Sequence, residues 1–279
     1  MGTVAPVPQA IDALPTFHPK SSMPDYISIC EQAARAGGQV LRDWTGRFSV
    51  RQKGPADLVT EADFASQETI RGILLGQFPQ HGFIGEEGDA SHSEAEFRWI
   101  VDPLDGTTNY VHGLPHYAVS IALAQGDTLL VATVYDPSAE ECFTAVAGGG
   151  AWLNGRRMHA SSVANPSDAL VAVSLPAKVD RDGPEITLFT DMLLGTQAVR
   201  RMGSAALNLA YVAAGRLDAS YATDTKAWDV AAGFLLVLEA GGAVTALDGS
   251  PVELFRPRFL ASANAALHGN LLPLLKNHG

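Results

Sequence analysis

Apolar residues recur along this chain at two periods, and the switches between them mark out its elements. Ile27, Cys30, Ala34, Val40, Leu41 and Trp44 fall near helical spacing, which predicts a helix opened by Ser22 and Pro24 and ended at Gly46. The polar stretch Arg51–Ala56 then reads as a mobile loop. Thr60 with Asp63 three residues on has capping-box spacing, so a second helix is expected from there to about Phe78. Phe83-Ile84-Gly85 is a brief apolar strand running into Glu86 and Glu87, and Trp99-Ile100-Val101 reads as the end of a buried strand. Strand-like runs follow at Ala118–Ala124, Thr128–Tyr135 and Cys142–Val146, and their short Gly/Asp connections favour antiparallel pairing. Gly148-Gly149-Gly150 lacks the Gly-Lys-Ser/Thr ending of a phosphate loop and reads as the turn before a strand Ala151–Leu153.

The second half alternates. Strands are expected at Ala169–Ser174, Ala198–Arg200 and Leu217–Tyr221, and helices at Glu185–Leu194, from Gly203 to Ala214 and from Trp228 to Gly241. Such alternation implies helices layered on a sheet, an α/β class. The softest subdomain boundary lies near 155–168, within one domain running from 23 to 279. Residues 1–22, with several prolines, are expected to be a flexible N-terminal extension.

Composition changes the picture in three respects. With 47% hydrophobic and 18% charged residues in 279, the chain suits a soluble globular fold with a sizeable core. A net charge of −11 argues against nucleic acid and anionic membrane as partners, and it means a phosphorylated substrate has to be met by locally bound cations. Cys30 and Cys142, far apart and without metal-ligand spacing, fit a reducing cytoplasm and offer neither a disulfide framework nor a zinc cluster. No apolar run has transmembrane length, and no signal-peptide pattern is expected at the start.

The candidate chemistry centres on Asp102-Pro103-Leu104-Asp105-Gly106-Thr107. In a continuing strand, residues three apart face opposite ways; a turn brings its first and fourth residues within about 7 Å. A tight turn over Asp102–Asp105, with Pro103 at its second position, lets both carboxylates converge with the Leu104 carbonyl between them. These are hard oxygen donors suited to Mg²⁺, Ca²⁺ or Mn²⁺. A surface turn has the same letters, but the apolar flanks speak against one. For Asp63, helix capping alone is a sufficient account, and Glu86-Glu87 gains meaning only from the nearby Asp102 strand. Aspartyl-phosphate chemistry expects a second Asp two residues on, where this chain spaces them by three across a proline. Neither a Gly-x-Ser-x-Gly elbow nor a His-Glu-x-x-His helix is present.

Ile84-Gly85-Glu86-Glu87, Trp99 through Asn109, Trp228-Asp229-Val230-Ala231-Ala232-Gly233 with Glu239-Ala240-Gly241-Gly242, and Asp57-Leu58-Val59-Thr60 to Asp63 together resemble the inositol monophosphatase family. These are lithium-sensitive, Mg²⁺-dependent phosphomonoesterases, and order and spacing agree from about residue 24 onward. The resemblance implies an α+β sandwich of alternating helix and sheet layers, a cytoplasmic homodimer, and two or three Mg²⁺ ions. Carried over residue by residue, it makes Glu86, Asp102, the Leu104 carbonyl and Asp105 ligands of the first and bridging metals, and Asp229 a ligand of the second. Asp63 matches a position tied to a further, weakly held metal and to orienting the catalytic threonine. Thr107 and Glu86 resemble the pair that positions and activates the attacking water. Asp105, Gly106, Thr107, Thr108, Gly203, Ser204, Ala205 and Asp229 are expected to meet the substrate.

Inositol 1-phosphate is the foremost substrate implied. Histidinol phosphate, a 3′-phosphoadenosine nucleotide, fructose bisphosphate and NADP are rivals within the same superfamily. An inactive binding protein of this fold remains the other class, and loss of a carboxylate would point to it; none is missing. One position departs from the animal enzymes, which carry a Glu seven residues before the Trp-Asp aspartate. Here that position is Ala222, with Thr223 and Asp224 beside it. An alanine cannot accept inositol hydroxyls, and each lost hydrogen bond is worth roughly 0.5–1.5 kcal/mol, which implies modest selectivity.

Overall fold

In the computed structural model, residues 25–54 and 57–275 are described. The expected extension 1–22, the expected openers Ser22 and Pro24, and Pro55-Ala56 lie outside the described residues. Asp25 caps the first helix, α1 (Tyr26–Trp44), by accepting the Ser28 N–H at 3.1 Å. Where a mobile loop was the expectation, β1 (Val50–Gly54) pairs antiparallel with β2 (Asp57–Thr60). Main-chain pairing overrides the polar composition there. The capping box at Thr60 and Asp63 is present and opens α2 (Glu61–Gln77).

The first sheet is built from β3 (Gly82–Gly85), β4 (Gly88–Ser91), β5 (Phe97–Asp105), β6 (Ala118–Gln125), β7 (Thr128–Asp136), β8 (Glu141–Val146), β9 (Gly150–Leu153) and β10 (Arg156–Arg157). A single turn of helix, α3 (Thr107–Val111), follows β5. Strand order is β10-β9-β8-β7-β6-β5-β3-β4, antiparallel except where β3 lies parallel to β5. The second sheet begins with β11 (Leu170–Ser174), α4 (Pro184–Gly195), β12 (Ala198–Arg200), α5 (Ala205–Ala213) and β13 (Ala219–Ala222). It is completed by α6 (Ala227–Glu239), β14 (Ala243–Ala246), β15 (Phe259–Ser262) and α7 (Ala265–Leu275). Its order is β12-β11-β13-β15-β14. The short strands β14 and β15, and α7 with Pro273 inside it, go beyond what spacing predicts.

Strand parity sorts these elements into five layers. Trp99, Val101 and Ile121 pack outward against Cys30, Leu41 and Ile70 of α1 and α2. Their neighbours Ile100 and Ala122 point to the other face, where they meet Leu207, Ala210 and Phe234 of α5 and α6. Ala172, Ala222 and Ala261 of the second sheet close on the same two helices. Its outer face carries Val171, Val173 and Tyr221 against Leu188 and Met192 of α4 and Leu267 of α7. Helix and sheet layers therefore alternate, as expected. Gly233 lets the central helices touch, because a Cβ there would lie 2.4 Å from that of Leu209. Among the described residues no helix is long and apolar enough to cross a membrane.

The stretch Asp102–Asp105 is not the expected tight turn. It continues β5, with a register shift: Asp102 pairs with Ser120 and Asp105 with Ala118, so three steps on one strand match two on its neighbour. One extra residue is a β-bulge. It reverses strand parity, and Asp102 and Asp105 come to one side by that route. The Leu104 N–H donates to Asp102 Oδ1 at 2.9 Å and fixes the bulge locally.

Candidate active site

Three elements set the acidic side chains: β3 leads into Glu86, β5 carries Asp102 and Asp105, and α6 carries Asp229. The parallel register opposes Gly85 to Val101, so Glu86 leaves β3 beside Asp102, its N–H donating to the Val101 carbonyl at 3.2 Å. Ser120, cross-strand from Asp102, donates to the Trp228 carbonyl at 3.1 Å and clamps the start of α6 against the same place. Asp229 in the first turn of α6 then faces Asp105 and Glu86, with its Oδ2 accepting the Lys226 N–H at 2.8 Å. Residues far apart in sequence thus meet at the strand ends.

Burial and neighbouring charge raise the proton affinity of the three aspartates. Burial comes first for Asp102, and the charges of Glu86, Asp105 and Asp229 add to it, holding its carboxyl well above the usual range. Asp229 is raised for the same reasons, burial and then Asp105. Asp105 is pushed up to about 6 by burial, against a pull from Ser204 and the N–H groups of Ala206 and Ala205. Among the described residues no three His, Cys, Asp or Glu side chains form a ready-made cage for an ion. The acidic side chains stand within reach of one another's fields, and such a concentration of hard oxygen donors fits a hard divalent cation.

Asp63 does two things. Its Oδ2 accepts from Thr60 N at 2.8 Å and Thr60 Oγ1 at 2.7 Å, and its Oδ1 faces Thr107 Oγ1 at 3.4 Å. The Thr107 hydroxyl also lies 3.1 Å from the Leu104 carbonyl, so its one proton has two acceptors. Ser204 is buried; its hydroxyl donates to Asp105 and accepts the Leu207 N–H, capping α5. Gly203 and Ala205 line the adjoining cleft of about 530 Å³, as do Asp105, Thr108 and Asp229. Gly106 and Gly203 both have positive φ, and a Cβ on Gly106 would approach the Gly203 carbonyl to 3.3 Å. Ala222 is fully buried at the end of β13, and the acidic residue on that wall of the cleft is Asp224, exposed and 3.7 Å from Lys226 Nζ.

Sequence reasoning misses the supporting residues. Gln67 Oε1 accepts the Glu87 N–H at 3.0 Å, and Ser66 donates to the Pro103 carbonyl at 3.1 Å, which ties α2 to both acidic segments. Asn109 Nδ2 donates at 2.8 Å to the carbonyls of both His116 and Met202, joining α3 to the Gly203 segment. Only Asn109 carries a signal, its place in the Gly106-Thr107-Thr108-Asn109 run. Asn109→Ala strands two carbonyls, and a loss of about 1–3 kcal/mol is expected in denaturant unfolding. An unchanged midpoint would show that water replaces both bonds without cost.

A five-layered fold with an acidic cleft at its centre is that of a phosphatase, a hydrolase of phosphate monoesters. The model of the inositol monophosphatase family matches residues 23–279, and the chain belongs to that family. It is 43% identical to an inositol-1-monophosphatase of Rhizobium meliloti over 234 residues, 81% of this chain and 88% of that one. A Pseudomonas aeruginosa relative named Nus factor SuhB is 39% identical over 92% of this chain and 97% of its own. Among solved structures, inositol monophosphatase from Anabaena superposes with a TM-score of 0.82 at 37% identity, covering 90% of this chain and 95% of that one.

Proposed function

We propose that this chain hydrolyses small phosphate monoesters with Mg²⁺, inositol 1-phosphate foremost, as a cytoplasmic homodimer. The observation that carries the reading is the gathering of Glu86, Asp102, Asp105 and Asp229 into one set of mutually repelling carboxylates beside the cleft. Glu86, Asp102, the Leu104 carbonyl, Asp105 and Asp229 would hold two Mg²⁺ ions, with a third, weaker ion near Asp63. When bound, such ions supply charge neutralisation and a more acidic water, the chemistry that favours in-line displacement at phosphorus.

The protein's own groups do the rest. Thr107, donating to Asp63 or to the Leu104 carbonyl, keeps an oxygen lone pair with which to accept a hydrogen from the attacking water. Glu86, next to Asp102, would take the water's other proton. The N–H groups from Gly106 to Thr108 lie where α3 begins and would meet phosphate oxygens. Asp105, Gly203, Ala205 and Asp229 face the leaving group across the cleft, and Ser204 acts through Asp105.

Phosphate release with Mg²⁺ from inositol 1-phosphate, compared with histidinol phosphate, a 3′-phosphoadenosine nucleotide, fructose bisphosphate and NADP, tests the substrate. Efficient turnover of a rival with inositol 1-phosphate untouched would overturn the substrate and leave the chemistry standing. Thr107→Ala is expected to lower kcat by about 10²-fold, the scale of one positioned catalytic group, while the Mg²⁺ concentration for half-activation stays near that of the parent. Should the metal requirement rise steeply with the saturated rate unchanged, Thr107 supports the ligands instead.

A further inference from the structure

In the second sheet β11 lies between β12 and β13 and runs parallel to both. The C-terminal ends of parallel strands are where such sheets present side chains to a ligand. Ser174, the last residue of β11, is in register with Ala222, the last residue of β13, and both are on the face towards α5. Ala222 has only a buried methyl to offer there. Ser174 is half-buried and lines the same cleft as Asp105, Gly203 and Asp229.

The Ser174 hydroxyl is held from behind. Asn208 of α5 is fully buried, and its Nδ2 donates to Ser174 Oγ at 3.2 Å. An oxygen that accepts from the interior keeps its own proton for the open side, so this hydroxyl is a donor towards the cleft. Asn208 stands one turn along α5 from Ser204, whose carbonyl accepts its N–H at 3.1 Å and whose hydroxyl donates to Asp105. The helix therefore holds a group from each sheet, Asp105 of the first and Ser174 of the second, about one cleft. The Asn208 Oδ1 is buried without a partner among the described residues. An unmet buried acceptor is costly, and an aliphatic residue would suit this apolar layer better were the amide nitrogen not needed at Ser174.

We infer that Ser174 reads the leaving group: its hydroxyl donates a hydrogen bond to a hydroxyl oxygen of the polyol, beside the place where Ala222 supplies nothing, and Asn208 is its positioning residue. The inference rests on the phosphatase reading above and assigns a specificity-determining contact within that cleft. The contact is made where no bond of the substrate changes, so it stabilises ground and transition states alike and shows in KM.

The test compares kcat/KM, with Mg²⁺, for inositol 1-phosphate and phenyl phosphate, whose ring carries no hydroxyl. In Ser174→Ala the ratio of the first to the second is expected to fall about three- to tenfold, the scale of one neutral hydrogen bond, with the fall carried by KM for inositol 1-phosphate. Ser174→Thr keeps a hydroxyl and should restore most of the ratio. Asn208→Leu should lower it by less than Ser174→Ala does, and the double variant should fall no further than Ser174→Ala alone. Because each variant is its own reference, partial loss of folded protein does not alter the ratio. The parent's ratio in Ser174→Ala, whether through no effect or through an equal loss on both esters, overturns the inference and leaves Ser174 a packing partner of Asn208. Hydrolysis of phenyl phosphate by the parent with inositol 1-phosphate untouched also overturns it, while the phosphatase reading stands. Absence of hydrolysis from both esters takes both down.

Discussion

Replacing Asp102 or Asp229 by Asn is expected to cut phosphate release by at least about 100-fold, the scale of losing one preorganised electrostatic group. The substitution keeps the shape and removes one charge from a crowded set in which the proton affinities of Asp102, Asp105 and Asp229 are raised. Asp102→Asn keeps an amide oxygen able to accept the Leu104 N–H, so the bulge survives and the loss reads as chemistry and not as misfolding. Chelation by EDTA should abolish the parent activity, and Mg²⁺ should restore it. Turnover near the parent level in EDTA would sink the metal-dependent reading outright.

Saturating Mg²⁺ is expected to raise the melting temperature, and by more near pH 8 than near pH 5.5. The sign follows from the carboxylates. Asp105 has its proton affinity raised from 3.8 to about 6, and Asp102 and Asp229 are raised as well. A raised folded-state value means their contribution to stability is present at low pH and is lost as pH climbs through about 6. Above that range the like charges face one another, and a cation binding only the folded state offsets them, by about 2.7 kcal/mol at a hundred times its Kd. Below it, protons compete with the metal.

His268 works in the opposite sense. Buried between Thr245 and Ser262, it is pushed down to about 4 by burial, so its contribution is lost as pH falls from 6.5 toward 4. That loss should be indifferent to Mg²⁺, which is why the metal-induced difference, and not the melting temperature itself, is the measurement. A larger shift at pH 5.5 than at pH 8 would contradict a carboxylate site.

How much of this was legible beforehand varies with the range of the interaction. The Thr60–Asp63 box was readable because capping is written in four consecutive residues. The convergence of Asp102 and Asp105 was expected, but its cause was not: a turn and a bulge both place residues three apart on one side, and only the pairing of β5 with β6 separates them. Ser204 was expected at the substrate, and its spacing could not reveal that its hydroxyl is held by Asp105. The loop at Arg51–Gly54 looked unpaired because Arg-Gln-Lys-Gly carries no β-branched or aromatic residue, and its partner strand, Asp57–Thr60, is only four residues long.

By itself the sequence determined the capped start of α2, the alternation of strand and helix in the second half, and the donor types available for a cation. These rest on local backbone geometry and side-chain chemistry, which neighbours along the chain specify. Only the tertiary structure decided that Asp229 meets Asp102 and that Gln67 and Asn109 brace the site. Those placements are set by strand register and by the packing of α5 and α6 between two sheets. Many weak apolar contacts, each without a local signature, add up to fix them.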